Sequence, residues 1–582
     1  MRLLFDCETD GFLADCTMVH VLVIKDVDTG QVSTFSSFHP SGQSIHDGLS
    51  LLGKATMLIG HNIIKFDLAV LAKLHSFKVP QGCTVMDTLV LTRLIYTRLS
   101  ENDFRLISAG TLPKGLYCRH SLAAWGYRLG KHKGDFKGPW DAWSQDMETY
   151  CEQDVEVNYH LWQFLEHAAY PEMSIWIEHE VAKICAQIEI NGFCVDVPKL
   201  EDLFLDLKAQ FERVRVEMQV VFPPAEVQMK TKVKYIPFNP GSRKQIEERL
   251  KEKYDWVPKA FTDNGQAKLD DEVLATLKYP EAQVLARYFL LQKRIGQIGE
   301  GQKAPNAWLQ MVRKGKLHGA INPNGARTGR ATHSHPNMGQ IPSKGVEYGK
   351  ECREAFTVPP GWKLLGTDAG QLELRMLAHY MALHDLGAYT SVVNTGDVHT
   401  TNQIAAGLPT RDDAKTFIYG FIYGAGDAKI GSIVGKGRAA GKKLRESFLK
   451  GLPALDKLIR GVKSRLKSQG YLTGLDGRRL YCEHEHAALN TLLQSAGALV
   501  CKVWMIIVER MLQEKGLVHG WHGQYAICAW VHDELQIAVR DGYEDVVGQA
   551  CLDAIAEVEK FFKLRCPLTA NFKVGANWYE TH

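Results

Sequence analysis

The sequence predicts an α/β protein of several domains, on three grounds. The chain has 582 residues, well beyond the size at which one hydrophobic core keeps growing. Residues 1–165 alternate short strand-like runs, RLLFDCE and HVLVIKD, with helical stretches such as LAVLAKLH and ETYCEQDVEVNYHLWQFLEH. Beyond them the apolar spacing is mostly helical until AICAWV and LQIAV, two β-rich runs that flank the acidic step Asp533 and Glu534.

Residues 166–315 read as long amphipathic helices interrupted at VVFPPAEVQMKTKVKYIPFNPGSR, whose four prolines and basic residues predict an exposed connection. Residues 316–350 lose periodicity and fill with Gly, Asn, His, Arg and Pro, the composition of a long ordered loop that meets a ligand. KLLGTDAGQLELRMLAHYM then reads as a strand running into a helix. Helices dominate to about residue 515, and the WVHDELQ hairpin and one more helix close the chain.

The composition, 45% apolar and 23% charged, is that of a soluble globular protein, and a net charge of +3 permits a nucleic-acid partner without demanding one. The 13 cysteines are scattered and form no CxxC pair, so neither a disulfide framework nor a structural zinc site is expected, and a reducing cytoplasm is. Acids within MRLLFDCETD and Lys502 within AGALVCKVWMII argue against a signal peptide and a membrane span.

In LLFDCETDGF, Asp6 and Glu8 stand two apart on a predicted strand, so both side chains leave one face. GHNIIKFD adds Asp67, and ETYCEQD adds Tyr150 and Asp154, four apart on one helix face. Taken singly, each acid is more simply a solvated surface group. Together, four carboxylates and a phenol can hold two divalent ions and orient a water for attack on a phosphodiester. The order DxE, HNxxxFD, YxxxD resembles the DEDD-type 3′–5′ exonuclease found as the proofreading domain of DNA polymerases. The resemblance implies that Asp6, Glu8, Asp67 and Asp154 ligate metal and that Tyr150 positions the water.

TDAGQLELR sets Asp368 at the end of an apolar strand, beside the small residues Ala369 and Gly370 and ahead of a helix bearing Glu373 and Arg375. Asp533 and Glu534 are expected at a hairpin turn, which projects acids from an apolar sheet without the cost of unpaired burial. TRDDAKTFIYGFIYG opens with Thr410 and Asp413 as a capping box. Arg411, Lys415, Tyr419 and Tyr423 follow at spacing four, drifting only ~40° per step, so cations and aromatics form one stripe. Cations grip polyphosphate and an aromatic stacks on a base, although a solvated first turn followed by core tyrosines is the plainer alternative. His486, Asn490 and Gln494 share a face of HAALNTLLQSAGALVCKVW, either satisfied internally or exposed to read base edges. Arg327 and Arg330 are surface cations or nucleic-acid contacts, with Arg330 of TGR the better placed.

In order and spacing, TGRATH, DAGQLELR, RDDAKTFIYGFIYG, LNTLLQSAGA and VHDE resemble the family A (polymerase-I-like) DNA polymerases, above all the replicative branch of T-seven-type short-tailed bacteriophages. The resemblance implies an RNase H-like exonuclease domain (1–165) followed by a right-hand polymerase. Its thumb and connecting helices would take 166–315, its palm with an antiparallel sheet 316–380 and 490–582, and its helical fingers 381–489. It implies that Asp368, Asp533 and the Ala369 carbonyl hold two Mg²⁺ ions, with Mn²⁺ able to substitute and Glu534 in support. His399, Arg411 and Lys415 would bind the triphosphate of a dNTP, Tyr419 would pack on its sugar and base, and Glu373 would exclude a ribose 2′-hydroxyl. Arg330, Asn490 and Gln494 would contact the minor groove of the primer–template, with Tyr423 near the templating base. Implied partners are primer–template DNA, a helicase-primase and a single-stranded-DNA-binding protein, with no membrane, in the cytoplasm of a host cell.

Two departures carry expectations. Asp-Ala-Gly-Gln replaces the Asp-Ala-Ser-Gly usual in the phage branch, changing the small-residue contact at Gly370. The connection at about 220–243 is too short to hold the long thumb insertion that recruits thioredoxin in the best-known phage relative, so no thioredoxin dependence is expected. The rival readings are a stand-alone DEDD nuclease and a single-subunit RNA polymerase. The second carboxylate set argues against the first, and Glu373 with the exonuclease motifs against the second.

Overall fold

The computed structural model describes all residues except 39–41, 229–231, 259–260, 262–264 and 300–305. It divides into two compact units, one of residues 1–191, 321–333 and 365–573, the other of residues 192–320, 334–364 and 574–582.

The first unit opens with a five-stranded sheet of β1 (Arg2–Thr9), β2 (Val19–Asp26), β3 (Val32–Phe35), β4 (Met57–Gly60) and β5 (Thr84–Asp87), in the order β3-β2-β1-β4-β5. β1, β4 and β5 run parallel and β2 antiparallel to its neighbours. Both faces are covered, as a largely parallel centre requires. Leu3, Phe5 and Cys7 pack with Val70 and Leu71 of helix α1 (Asp67–His75). Leu4, on the other face, packs with Met147, Cys151 and Val155 of helix α2 (Gln145–Glu166). Strand parity therefore sends Asp6 and Glu8 toward α2. Helix α3 (Glu172–Asn191) follows.

A second sheet in this unit contains β6 (Trp362–Ala369), the hairpin strands β7 (Tyr525–Val531) and β8 (Glu534–Arg540), and β9 (Ala570–Gly575), in the order β7-β8-β6-β9. It shares one large core with helices α4 (Leu372–Asp385), α5 (Arg411–Ile422) and α6 (Ala488–Glu514). The segment Glu485–Glu514 is long and apolar enough to cross a membrane by length and composition, yet 94% of its most apolar window is buried inside the protein.

A neutral ion cluster pins α6. Glu178 of α3 pairs with Lys502 of α6 and with Arg478, which also pairs with Asp476 at 2.7 Å, and all four side chains are at most 3% exposed. Ser174 donates to the Asp476 carbonyl at 2.9 Å, closing the group onto α3. Burial lowers the Lys502 pKa to about 8 even with Glu178 opposing it.

In the second unit the helices Val197–Val221 and Pro280–Ile298 pack together beside a core that includes Met218, Phe222, Phe238, Leu250, Leu285 and Tyr288. A three-stranded sheet joins Phe193–Val195, Lys316–Leu317 and Phe356–Thr357. The expected exposed connection contains a short antiparallel ribbon, Ala225–Gln228 with Val233–Ile236, whose turn lies outside the described residues. Strands form there because Val233, Tyr235 and Ile236 favour extended backbone, although all three remain exposed.

Glu178→Gln leaves Arg478 and Lys502 facing each other with only Asp476 to neutralise them. It should destabilise the first unit by about 3–5 kcal/mol, read as an earlier transition in urea unfolding.

Candidate active sites

The first acidic centre forms where β1 meets α2. Oxygens of Asp6 and Glu8 and the sulfur of Cys151 lie within 4.8 Å of one another. Asp67, the first residue of α1, reaches the same strand: its Oδ1 accepts from the Cys7 N–H at 3.1 Å and from the Cys7 thiol at 3.2 Å. Asp154 Oδ2 accepts from Lys133, whose Nζ also sits 4.6 Å over the Tyr150 ring. Asp154 Oδ1 is buried with no hydrogen-bond partner among the described residues.

Such crowding should favour protonation, and it does. Burial, then the Asp154 carboxylate, raises Glu8 to about 8. Burial raises Asp67 to about 6 and Asp154 to about 6, and Asp6 is pushed well up by burial and by the Asp67, Glu8 and Asp154 carboxylates. Burial works against the Lys133 ammonium, but Asp154 and Asp6 outweigh it and raise its pKa. The structure thus gathers Asp6, Glu8, Asp67, Asp154 and Tyr150; spacing predicts the shared faces of Asp6 with Glu8 and of Tyr150 with Asp154, and the motif resemblance implies the rest. Sequence reasoning missed Lys133 and Cys151. Lys133 sits among other lysines of a loop and carries no pattern, whereas Cys151, three residues before Asp154 on α2, shares its face and was legible.

The second centre joins a strand end to a hairpin. Asp368 is the penultimate residue of β6, and the Ala369 N–H donates to the Asp533 carbonyl at 3.1 Å, which brings together aspartates 165 positions apart. The Gly370 N–H donates to Thr569 O at 2.8 Å. A Cβ on Gly370 would meet Thr569 Oγ1 at 2.7 Å, a local reason for Gly at this position. Arg375, to which the sequence assigned no role, anchors this turn by donating to Gly370 O at 2.8 Å and to Asn394 Oδ1 at 2.7 Å.

The hairpin differs from expectation in one residue. Its turn is His532 and Asp533, with His532 at φ +58°, while Glu534 already belongs to β8, is 8% exposed and accepts from Gln536 Nε2 at 2.6 Å. Val531 pairs with Glu534 across the ribbon, so of the two acids only Asp533 lies in the two-residue loop. Burial, then the Glu373, Asp368 and Glu534 carboxylates, raises Asp533 to about 6.

Glu373 faces the same space, accepting from Tyr423 OH at 3.0 Å and from Arg330 Nη2 at 3.3 Å. These three residues line a cavity of about 230 Å³ with Leu372, Trp530 and Asp533. The loop bearing Arg330 is held by Asn324 Nδ2, which donates to Arg93 O at 3.2 Å. Arg327 instead forms a surface ion pair with Glu483.

On α5, Ala414, Phe417, Ile418 and Phe421 are buried, leaving Arg411 and Lys415 exposed and Tyr419 half-buried on the other face. Burial raises the Tyr419 phenol, with Glu373 and Asp533 adding to it, so the stripe leads to the carboxylates. Tyr423 caps α5 instead of extending it, and Thr410 accepts from the Asp413 N–H at 3.1 Å with no reciprocal bond found, so half of the expected capping box forms. His399 is 8% exposed and its pKa is lowered by burial and by Arg411, while Arg411 itself bonds Asp397 at 2.7 Å. His486 lies in a turn before α6 and is off the expected stripe, whereas Asn490 and Gln494 are half-buried on that helix. Asn490 Oδ1 has no partner among the described residues.

A strand-end aspartate whose neighbour Ala369 bonds the backbone of a hairpin aspartate, near a helix that carries exposed cations and the half-buried Tyr419, is the build of an enzyme that joins nucleotides. Residues 208–580 match the model of DNA polymerase family A, and the chain belongs to that family. It is 37% identical to the DNA-directed DNA polymerase of Enterobacteria phage T3 with 100% of both chains covered, and 37% identical to that of Escherichia phage T7 with 99% of each covered. The DNA polymerase I of Pseudomonas aeruginosa is 29% identical over 74% of this chain and 47% of its own length. Among solved structures, the POL domain of Pol1 from M. smegmatis, in complex with DNA primer-template and dNTP, shares the fold with a TM-score of 0.77 and 20% identity, covering 100% of this chain and 96% of its own.

Because the carboxyl pKa values are raised above their unfolded values, the stability these groups contribute is present at low pH and lost as pH rises through about 6 to 8. Metal-free Glu8→Gln should therefore melt about 2 °C or more above the native protein near pH 8 and no higher near pH 5. Calorimetry at both pH values checks this.

Proposed function

We propose that the protein is a replicative phage DNA polymerase that extends a primer 3′-hydroxyl with dNTPs at the second centre and removes mispaired nucleotides at the first. The observation that carries the reading is the backbone bond from Ala369 to Asp533, which gathers two aspartates beneath the cation–tyrosine face of α5. The names of the T3 and T7 relatives support it along the whole chain. The strand order β3-β2-β1-β4-β5 supports an RNase H-like editing domain over about 1–165; the polymerase after it would take 166–315 as thumb, 316–380 and 490–582 as palm, and 381–489 as fingers.

Both centres fit divalent magnesium. The donors are hard carboxylate oxygens, carboxylates crowd each centre, and Asp154 Oδ1 is buried with no partner among the described residues. Asp368, Asp533 and the Ala369 carbonyl would hold it at one centre, and Asp6, Glu8, Asp67 and Asp154 at the other. When bound, the ions supply Lewis acidity and charge neutralisation at the reacting phosphate.

The protein's own residues do the rest. Arg411 and Lys415, with His399 behind them, neutralise triphosphate charge, and Tyr419 packs on the incoming nucleotide. Glu373, held by Arg330 and Tyr423, fills the space a 2′-hydroxyl would need. Arg330, Asn490 and Gln494 contact the minor groove, where acceptors common to all base pairs report shape and not sequence. At the first centre, Tyr150 orients the attacking water. Helicase-primase and single-stranded-DNA-binding protein are the expected partners, in the host cytoplasm.

In primer-extension assays, Asp533→Ala should lose extension by roughly a thousandfold, about 4 kcal/mol of transition-state stabilisation, and keep degradation. Asp6→Ala should do the reverse, and one variant abolishing both activities would refute two separate centres. Tyr419→Phe should incorporate dideoxynucleotides less well than the native enzyme. Long-product synthesis should not change when thioredoxin is added.

A further inference from the structure

The buried ion cluster that fastens α3 to α6 has one group left over. Arg478 donates through Nε to Asp476 at 2.8 Å and through Nη2 to Glu178 at 2.6 Å, yet its Nη1 is buried with no partner among the described residues. A charged donor without an acceptor is costly inside a protein, so something other than charge pairing keeps it there. Nη1 lies against the loop that carries Arg330. A Cβ on Gly329 would stand 2.6 Å from Nη1, and Gly329 itself has φ +79°, so space and backbone conformation both require glycine at this position. The tip of an arginine ordinarily yields to such a neighbour, but this one is held through its other two nitrogens by side chains at most 3% exposed. Gly329 therefore rests on a fixed surface.

From Gly329 the chain leads directly to the second centre. The Gly329 N–H donates to Ala326 O at 2.9 Å and the Ala326 N–H donates to Arg330 O at 3.1 Å, so residues 326–330 form one tight turn. Arg330 then reaches Glu373 across 3.3 Å, a long contact that a small shift of the turn would break.

We propose that Arg478 is a positioning residue for Arg330: its buried guanidinium is the floor under Gly329, and through that floor the ion cluster sets where Arg330 meets Glu373. Lysine cannot take its place, because an ammonium has no planar fork with which to hold Asp476 and Glu178 and still fill the space beneath the loop. This role rests on the proposed DNA contact of Arg330 only for its effect on synthesis, since the packing of Arg478 against Gly329 stands without it.

The test joins crystallography to primer extension, on full-length protein carrying Arg478→Lys, Gly329→Ala or Arg330→Ala. Gly329→Ala leaves every member of the ion cluster in place, so it serves even if Arg478→Lys misfolds. In crystals of Arg478→Lys or Gly329→Ala, read against crystals of the native protein, the Arg330 guanidinium should stand beyond about 4 Å from Glu373. An Arg330 that keeps its hydrogen bond to Glu373 in these variants overturns the proposal. With a matched primer, well below the unfolding transition of each protein, Arg478→Lys and Gly329→Ala should each slow extension at least tenfold, and Arg330→Ala at least as much. Adding Arg478→Lys or Gly329→Ala to Arg330→Ala should then change the rate by no more than about twofold, because nothing is left to position. Effects that multiply in the double variants mark a general loss of integrity and overturn the proposal. Arg330 displaced in the crystals, with Arg330→Ala extending at the native rate, supports the positioning and sinks the DNA contact alone. Slow extension by Arg330→Ala, with Arg330 undisplaced in the other two variants, sinks the positioning alone.

Discussion

The structure is organised around the cost of holding carboxylates close together. Asp6, Glu8, Asp67 and Asp154 meet in one place, where neighbouring carboxylates raise the pKa of Asp6 and Glu8, and Asp368, Asp533 and Glu373 meet in another, where Glu373 and Asp368 raise that of Asp533. Mutual repulsion and lost hydration favour separation, so neither group assembles unless the backbone beneath it is fixed by other forces. At the first centre that force is burial of β1 on both faces, through Leu3 and Phe5 on one side and Leu4 on the other. At the second it is the ladder that links β6 to the hairpin and the bond from Ala369 to Asp533.

Charge satisfaction separates scaffold from site. Glu178, Asp476, Arg478 and Lys502 are almost fully buried, yet two acids balance two bases within hydrogen-bond reach. That cluster fastens α3 to α6. The acidic centres are the opposite case: Lys133 is the one cation bonded to the first among the described residues, and Arg330 reaches the second only through Glu373. A folded chain that keeps uncompensated negative charge in fixed positions is prepared for a cationic ligand.

The second unit holds none of the carboxylates of either acidic centre. Its helices Val197–Val221 and Pro280–Ile298 form a separate core with few titratable groups inside it, and the exposed ribbon Ala225–Gln228 with Val233–Ile236 stands where the sequence predicts only a connection. Propensity alone reads its prolines correctly and its strands poorly, because a short two-stranded ribbon has no buried face to write a pattern.

Local pattern by itself determined a good deal. The two-residue period of β1 placed Asp6 and Glu8 on one face, the four-residue period of α5 aligned Arg411, Lys415 and Tyr419, and β-rich flanks announced the hairpin around Asp533. Tertiary structure decided what pattern cannot encode. The pairing of Val531 with Glu534 drew Glu534 into the strand and left Asp533 as the one acid of the two-residue tip, and the fold brought Lys133 and Arg375 to sites their own neighbourhoods do not mention. The physical reason is range: periodicity reports which face of its own element a side chain takes, whereas its partners are chosen by packing between elements far apart in the chain.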